Sequence, residues 1–538
     1  MATWQEKWLP EDKEFWEKTG KKIAWRTLWI TTLSLILSFA SWFMMSAIVV
    51  KLPGIGFKFT ENQLFWLAAM PGLAGGLLRI LHTFLLPKFG TRHVITLSTF
   101  AKLLPVIGIG LAVMNTTTPF WVFMLLAFTA GFGGGDFSSF MPSTSVHFPK
   151  RLQGTALGIQ AGIGNFGVSL AQFMTPVMLG LAIYGSAEVF TSFDAKEVTA
   201  SIQATDSTSL AHHSAIFAAQ DPAVQEKLIK ASDAKKVDSL KTAGFADNAA
   251  IFAHLPAKMK TKAITSLNPK VAEKVIKGLN PTAKGVKNKE IHVQSAAFWY
   301  APLLLIMGIV AWIWLRSVPM KASFKEQLDI FKDKHTWFCT ITYVMTFGSF
   351  AGLAAVFPMM IKSLYGGFEG APEPLVYAFY GPLIGSASRV LFGFVADKVG
   401  GAILTTLSGL GLITGCVLMI VLGLVAPTSV AQFDMFLWVM LGMFFFTGIG
   451  NAATFRQYPI VFGHNPRQAA GVIGWTAAVA AFGPFLFNLA IGGIIKASGT
   501  LPGEKSAAPF FYGLIAFAIL ATVINWYYYQ RKGAERPS

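Results

Sequence analysis

Two arginines stand where the chain is otherwise apolar: Arg79 in GGLLRILHTFLLPKFG (75–90) and Arg389 in GSASRVLFGFVADKVG (385–400). A guanidinium cannot shed its charge. In the middle of a bilayer it costs at least about 2.5 to 3.5 kcal/mol, so two of them require acidic partners, a water-filled cavity or an anionic ligand. Carboxylates inside the apolar runs are few. Asp136 is the clear one, while Glu373, Asp397 and Asp434 fall at run ends. One central carboxylate for two arginines leaves positive charge over, which points to an anion site. The guanidinium fork matches a planar oxyanion in a bidentate manner. Carboxylate, nitrate, nitrite or phosphate therefore fits better than halide.

Other residues fall into place around these two. GTALGIQAGIGNFGVSLAQF (154–173) spaces Gly154, Gly158 and Gly162 for close helix approach, then adds Gly164, Asn165 and Gly167. GVIGWTAAVAAFG (471–483) repeats the design with Gly471, Gly474 and Gly483. It has Ala481 where Asn165 stands, so the glycines read as structural, permitting rocking, and the asymmetric Asn165 as functional. Phe39 and Phe347 occur in the matching contexts SFAS and TFGS, and Tyr343 lies one turn before Phe347. His82 and His147 are further titratable groups, and a lone histidine is more often structural.

The elements that must position these residues are membrane helices. The chain has 538 residues, 53% hydrophobic and 13% charged, which is too apolar for a soluble fold. Runs long enough to cross about 30 Å of hydrocarbon lie near 27–50, 63–86, 93–114, 119–142, 155–185 and 296–316, then 337–363, 374–396, 402–426, 433–455, 469–495 and 508–530. The expected fold is an all-α integral membrane protein of twelve helices in two sets of six. No cleavable signal peptide is evident. Cys339 and Cys416 are the only cysteines, and both fall inside predicted spans. No metal-ligand cluster, nucleotide loop or positioned triad stands out, so neither an enzyme nor a cofactor is expected.

Lysines and arginines in short loops set the orientation. Lys18, Lys21, Lys22, Arg26, Lys88, Arg92, Lys150, Arg151, Arg316, Lys321, Lys325, Lys332, Lys334, Lys398, Arg467, Arg531, Lys532 and Arg536 mark one side, and NTTTP (115–119) and APTSVAQ (426–432) the other. Both termini are predicted to be cytoplasmic. This topology explains much of the +17 net charge, which is no argument for nucleic-acid binding.

The expected organisation is a cytoplasmic N-terminal segment (1–26), helices 1–5 (27–185), an insertion (186–294), helix 6 (295–316), a cytoplasmic linker (317–336), the second six-helix half (337–530) and a cytoplasmic tail (531–538). The insertion holds 15 Lys and 11 acidic residues, and its Val, Leu and Ile spacing reads as short helices separated by Pro, Gly and Asn. Five helices precede it, which places it in the periplasm. It is either a decoration, a surface for a periplasmic partner or a gating element.

The halves also repeat each other. LRILHTFLLPKFGTRHVITLS (78–98) aligns with SRVLFGFVADKVGGAILTTLS (388–408), superposing Arg79 on Arg389, and GFGGGDF (131–137) aligns with GIGNAATF (448–455) but for one residue. Parallel repeats of six spans are the architecture of a secondary transporter with its substrate site between halves.

AGIGNFGVSLAQF in helix 5, GGGDFSSFMPSTSVHFPKRLQG around helix 4 and FWLAAMPGLAGGLLRI in helix 2 resemble the nitrate/nitrite porters of the major facilitator superfamily, over nearly the whole chain except 186–294. The resemblance implies that Arg79 and Arg389 clamp nitrate or nitrite, with Asn165 and Tyr343 hydrogen-bonding nearby and Phe39, Phe137 and Phe347 sandwiching the anion or closing the path. Asp136 departs from the family pattern, where a neutral residue precedes the Phe. It is expected either to pair with an arginine or to titrate and couple proton movement. The reading is a monomeric exchanger of nitrate for nitrite in a bacterial inner membrane. Alternatives are nitrate/proton symport, transport of another small oxyanion, or an anion sensor that moves nothing.

Overall fold

A computed structural model describes the chain except residues 1–3, 6, 186–190, 207–209, 246, 268, 288–290, 319–327 and 500. Lys321 and Lys325, used above for orientation, lie outside the described residues. Among the described residues, eleven helices are long and apolar enough to cross a membrane: α1 (Lys13–Ile48), α2 (Glu61–Thr83), α3 (Lys88–Met114), α4 (Phe120–His147), α6 (Val293–Trp314), α7 (Lys334–Tyr365), α8 (Pro374–Val399), α9 (Gly401–Val421), α10 (Val430–Val461), α11 (Gly471–Ser498) and α12 (Ala508–Gln530). Between α4 and α6 runs α5 (Lys150–Leu179), 30 residues long. At about 1.5 Å per residue it is as long as its neighbours, but its glycines and its amides Gln153, Gln160, Asn165 and Gln172 make it less apolar.

Several helices outrun their apolar runs, because a polar sequence at the membrane surface continues a helix once it is capped. Asp12 accepts from Phe15 N–H at the first turn ahead of α1, and Asp333 caps α7 by accepting from His335 N–H. Thr60 and Gln63 form a reciprocal capping box on α2. Gly90, at φ +75°, breaks the helix close to the start of α3 and turns the chain there. Its Cα lies where a Cβ would strike the Ser317 side chain, so only glycine serves there.

The halves meet along two symmetric seams, α2 against α11 and α5 against α8. Within halves, α1 packs on α5, and α10 packs on α8 and α9. At the end where α1 finishes, polar bonds join the halves. Lys51 Nζ reaches Glu373 at 2.7 Å, Lys505 Nζ reaches both carboxylate oxygens of Glu61 at 2.9 Å, and Lys362 Nζ donates to the Val50 carbonyl at 2.5 Å.

The segment between α5 and α6 forms seven short helices among its described residues. They enclose their own core, which includes Val198, Ile202, Phe217, Phe252, Ile264 and Ile276. Thr191 pairs with Lys287 and Ser192 with Val286 in a two-stranded antiparallel ladder, and His292 N–H donates to the Leu179 carbonyl at 2.9 Å. The boundaries expected from hydropathy shift accordingly: α5 ends at Leu179, and Val293 and Gln294 already belong to α6.

Candidate anion site

Arg79 is 0% and Arg389 5% exposed. Arg79 projects from α2 and is held on two sides. Its Nε donates to the Gly134 carbonyl on α4 at 2.8 Å, and Nη1 donates to the Ala477 carbonyl on α11, in the other half, at 2.6 Å. Its Nη2 has no partner within the protein, nor do Nη1 and Nη2 of Arg389.

Aromatic rings connect the two charges. The Arg79 guanidinium carbon lies 4.8 Å from the centre of the Phe137 ring, 5.2 Å from Phe347 and 5.3 Å from Trp42. That of Arg389 lies 4.9 Å from Phe455, whose ring is 6.2 Å from Phe137. Phe39 stacks on Phe137 at 6.2 Å and 12°, and Tyr343 stacks on Phe347 at 5.5 Å and 11°. Cations over ring faces gain about 0.5 to 2 kcal/mol each, which stabilises the arginines without using their N–H groups. The Tyr343 hydroxyl and both amide atoms of Asn165 are also buried without a partner. A Cβ on Gly162 would meet Val390, next to Arg389, at 2.7 Å. Asn165, three residues on, shares that face of α5. Buried polar groups are nearly always hydrogen-bonded, so this cluster of unused donors around two cations is suited to an oxyanion.

The glycines divide by what they touch. A Cβ on Gly167 would strike the Ile36 carbonyl oxygen and lie 2.9 Å from the Phe39 Cβ, and one on Gly483 would strike the Gly348 carbonyl next to Phe347. These two let α5 lie against α1 and α11 against α7, and so set the two phenylalanines. Gly164 and Gly471 face the side chains of Leu35 and Ile330, whereas Gly474 faces open space. α5 runs unbroken past its glycines, while the helix in α11 is interrupted at Ala481 and Phe482.

Asp136 does not pair with either arginine. It forms a fully buried salt bridge with Lys102 on α3, accepts from Ser38 Oγ at 2.5 Å and from Ser98 Oγ, and lies 3.9 Å from His82. The expectation that it pairs with an arginine is thereby corrected, because an ammonium on the neighbouring helix reaches it first. Lys102 was visible as a cation inside the run 93–114. It has no counterpart in the second half, where Leu412 stands, so a search for repeated charges passes it by. Phe455, another residue of the cluster, is the repeat partner of Phe137 and was legible on that ground. His147 lies apart, its Nδ1 bonded to the Ser143 carbonyl at 2.5 Å and its ring 5.3 Å from Trp8.

Residues 5–172 match the Major Facilitator Superfamily. The chain is 46% identical to the "Probable nitrate/nitrite antiporter NarK2" of Thermus thermophilus over 536 residues, covering 100% of this chain and 98% of that protein. This chain belongs to the nitrate/nitrite porter family of the major facilitator superfamily. The "Nitrate/nitrite transporter NarU" of Escherichia coli K12 is 29% identical over 98% of this chain and 96% of its own length. Among solved structures, a bacterial homolog of the human lysosomal transporter Spinster superposes with a TM-score of 0.57 at 15% identity, covering 94% of this chain and 97% of that one. That likeness shows the fold alone. A porter of this family is a membrane transporter and not an enzyme.

Proposed function

We propose that the protein exchanges nitrate for nitrite by alternating access, with Arg79 and Arg389 gripping the anion between the halves. The observation that carries this reading is that three guanidinium nitrogens are fully buried without a partner, while Lys102 already occupies the one central carboxylate. The anion supplies the missing negative charge. Both forks lie in its plane, Asn165 and Tyr343 offer neutral donors, and Phe39, Phe137 and Phe347 cover its faces. An empty return would carry two uncompensated cations through the closed interface, which favours obligate exchange. The named function of the Thermus relative agrees. The basic loops support a bacterial inner-membrane orientation with both termini in the cytoplasm and the α5–α6 insertion in the periplasm.

Proteoliposomes test the exchange. Nitrate uptake should require internal nitrite or nitrate and should ignore a proton gradient. Uptake into an empty lumen that follows the gradient would establish symport instead, and no flux at all would leave binding without transport.

A further inference from the structure

Asn451 on α10 is 0% exposed, and neither its Nδ2 nor its Oδ1 has a hydrogen-bond partner. A buried amide wholly without partners is rare and costly, and here its direction can be read from its neighbours. A Cβ on Gly448, three residues before, would strike the Ser388 hydroxyl and the Gly385 carbonyl of α8, beside Arg389. Phe455, four residues after, lies under the Arg389 guanidinium and 5.7 Å from Tyr343. Tyr458, seven residues after, hydrogen-bonds to the Cys339 carbonyl and Thr342 hydroxyl of α7. At about 100° per residue, Asn451 shares the stripe of Gly448, Phe455 and Tyr458. That stripe faces the space between α7 and α8, where Arg389 and Tyr343 hold their unused donors.

The repeat sharpens this. Offsetting GIGNAATF on GFGGGDF by 317 residues superposes Asn451 on Gly134. In the first half the backbone at this position is engaged, since the Gly134 carbonyl accepts from Arg79 Nε. In the second half the same position carries a side chain with two free donors next to an arginine with free Nη groups.

We propose that Asn451 is a further ligand-contacting residue of the anion site, donating its Nδ2 hydrogens to the oxyanion from the second half as Asn165 does from the first. The inference rests on the anion-site reading above and adds to it.

The test is nitrate titration of the purified full-length protein by calorimetry at constant ionic strength, with chloride as the balancing anion. Asn451→Ala should weaken nitrate binding roughly three- to tenfold, the loss expected for one neutral hydrogen bond. Its melting temperature without nitrate should equal or exceed that of the native protein, since an unsatisfied amide is removed. Asn451→Asp, nearly the same in shape but repelling an anion, should bind more weakly still. Native-like affinity in Asn451→Ala overturns the proposal, as does a loss of affinity accompanied by a lower melting temperature, which marks a packing residue. Arg389→Lys is the control. If it also binds like the native protein, the anion site itself is misplaced; if it alone loses binding, only Asn451 is excluded. Should Asn451→Asp not fold, the alanine variant decides.

Discussion

A guanidinium differs from an ammonium in offering its N–H groups in a fixed plane, and Arg389 spends neither of its Nη groups on the protein. Replacing it by lysine keeps the charge and removes the fork. With one charge-assisted bond lost, worth about 1.5 to 3 kcal/mol, Arg389→Lys should weaken nitrate binding roughly ten- to hundredfold by calorimetry. Asp136 predicts a different kind of effect. Asp136→Asn strands the Lys102 ammonium in a dry interior and should lower stability by about 3 to 5 kcal/mol, seen as a fall in melting temperature. Lys102→Met combined with Asp136→Leu should recover most of the loss. The arginines were legible because an unshielded cation in hydrocarbon demands a reason, and the reason occurs twice. Lys102 and Asp136 occur once, opposite Leu412 and Thr454 in the repeat, so their mutual neutralisation emerged only when α3 and α4 were packed together.

At the scale of the helix, Gly167 and Gly483 are each pressed against the backbone of a neighbouring helix. A methyl group at either must push α5 off α1 or α11 off α7 and carry Phe39 or Phe347 with it. Gly167→Ala and Gly483→Ala should each cost about 1 to 3 kcal/mol and suppress nitrate flux in proteoliposomes. Gly474→Ala, facing no atom within 4 Å, should leave flux unchanged and slightly raise stability through better helix propensity. The pairing of Gly167 with Gly483 was legible in the repeat; which glycines bear contacts was not, since spacing alone says nothing of what a neighbouring helix presents. Helix ends were less legible still. Apolar runs stop at the first charges, whereas α1 starts back at Lys13 and α10 runs on to Val461.

Over the whole molecule, the bonds of Lys51, Lys362 and Lys505 fasten the halves together at one end. The proposed alternating access requires that end to part. The Lys51–Glu373 and Glu61–Lys505 pairs are partly exposed, so each contributes about 0.2 to 1 kcal/mol. Glu61→Gln with Glu373→Gln should shift the population toward the conformer open there by roughly two- to thirtyfold. Labelling by a membrane-impermeant maleimide of a cysteine at Met359, in a background without Cys339 and Cys416, would read it.

The antiparallel pairing of Thr191 and Ser192 with Val286 and Lys287 brings the insertion's two ends to one point, with its core closed upon itself. Chain closure across that point depends only weakly on what lies between. Exchanging residues 191–287 for a short glycine-serine linker should therefore preserve nitrate flux. The junction then serves as a socket: a rigid foreign domain with adjacent termini could be seated there, giving a small, featureless transporter the external landmark that single-particle imaging needs.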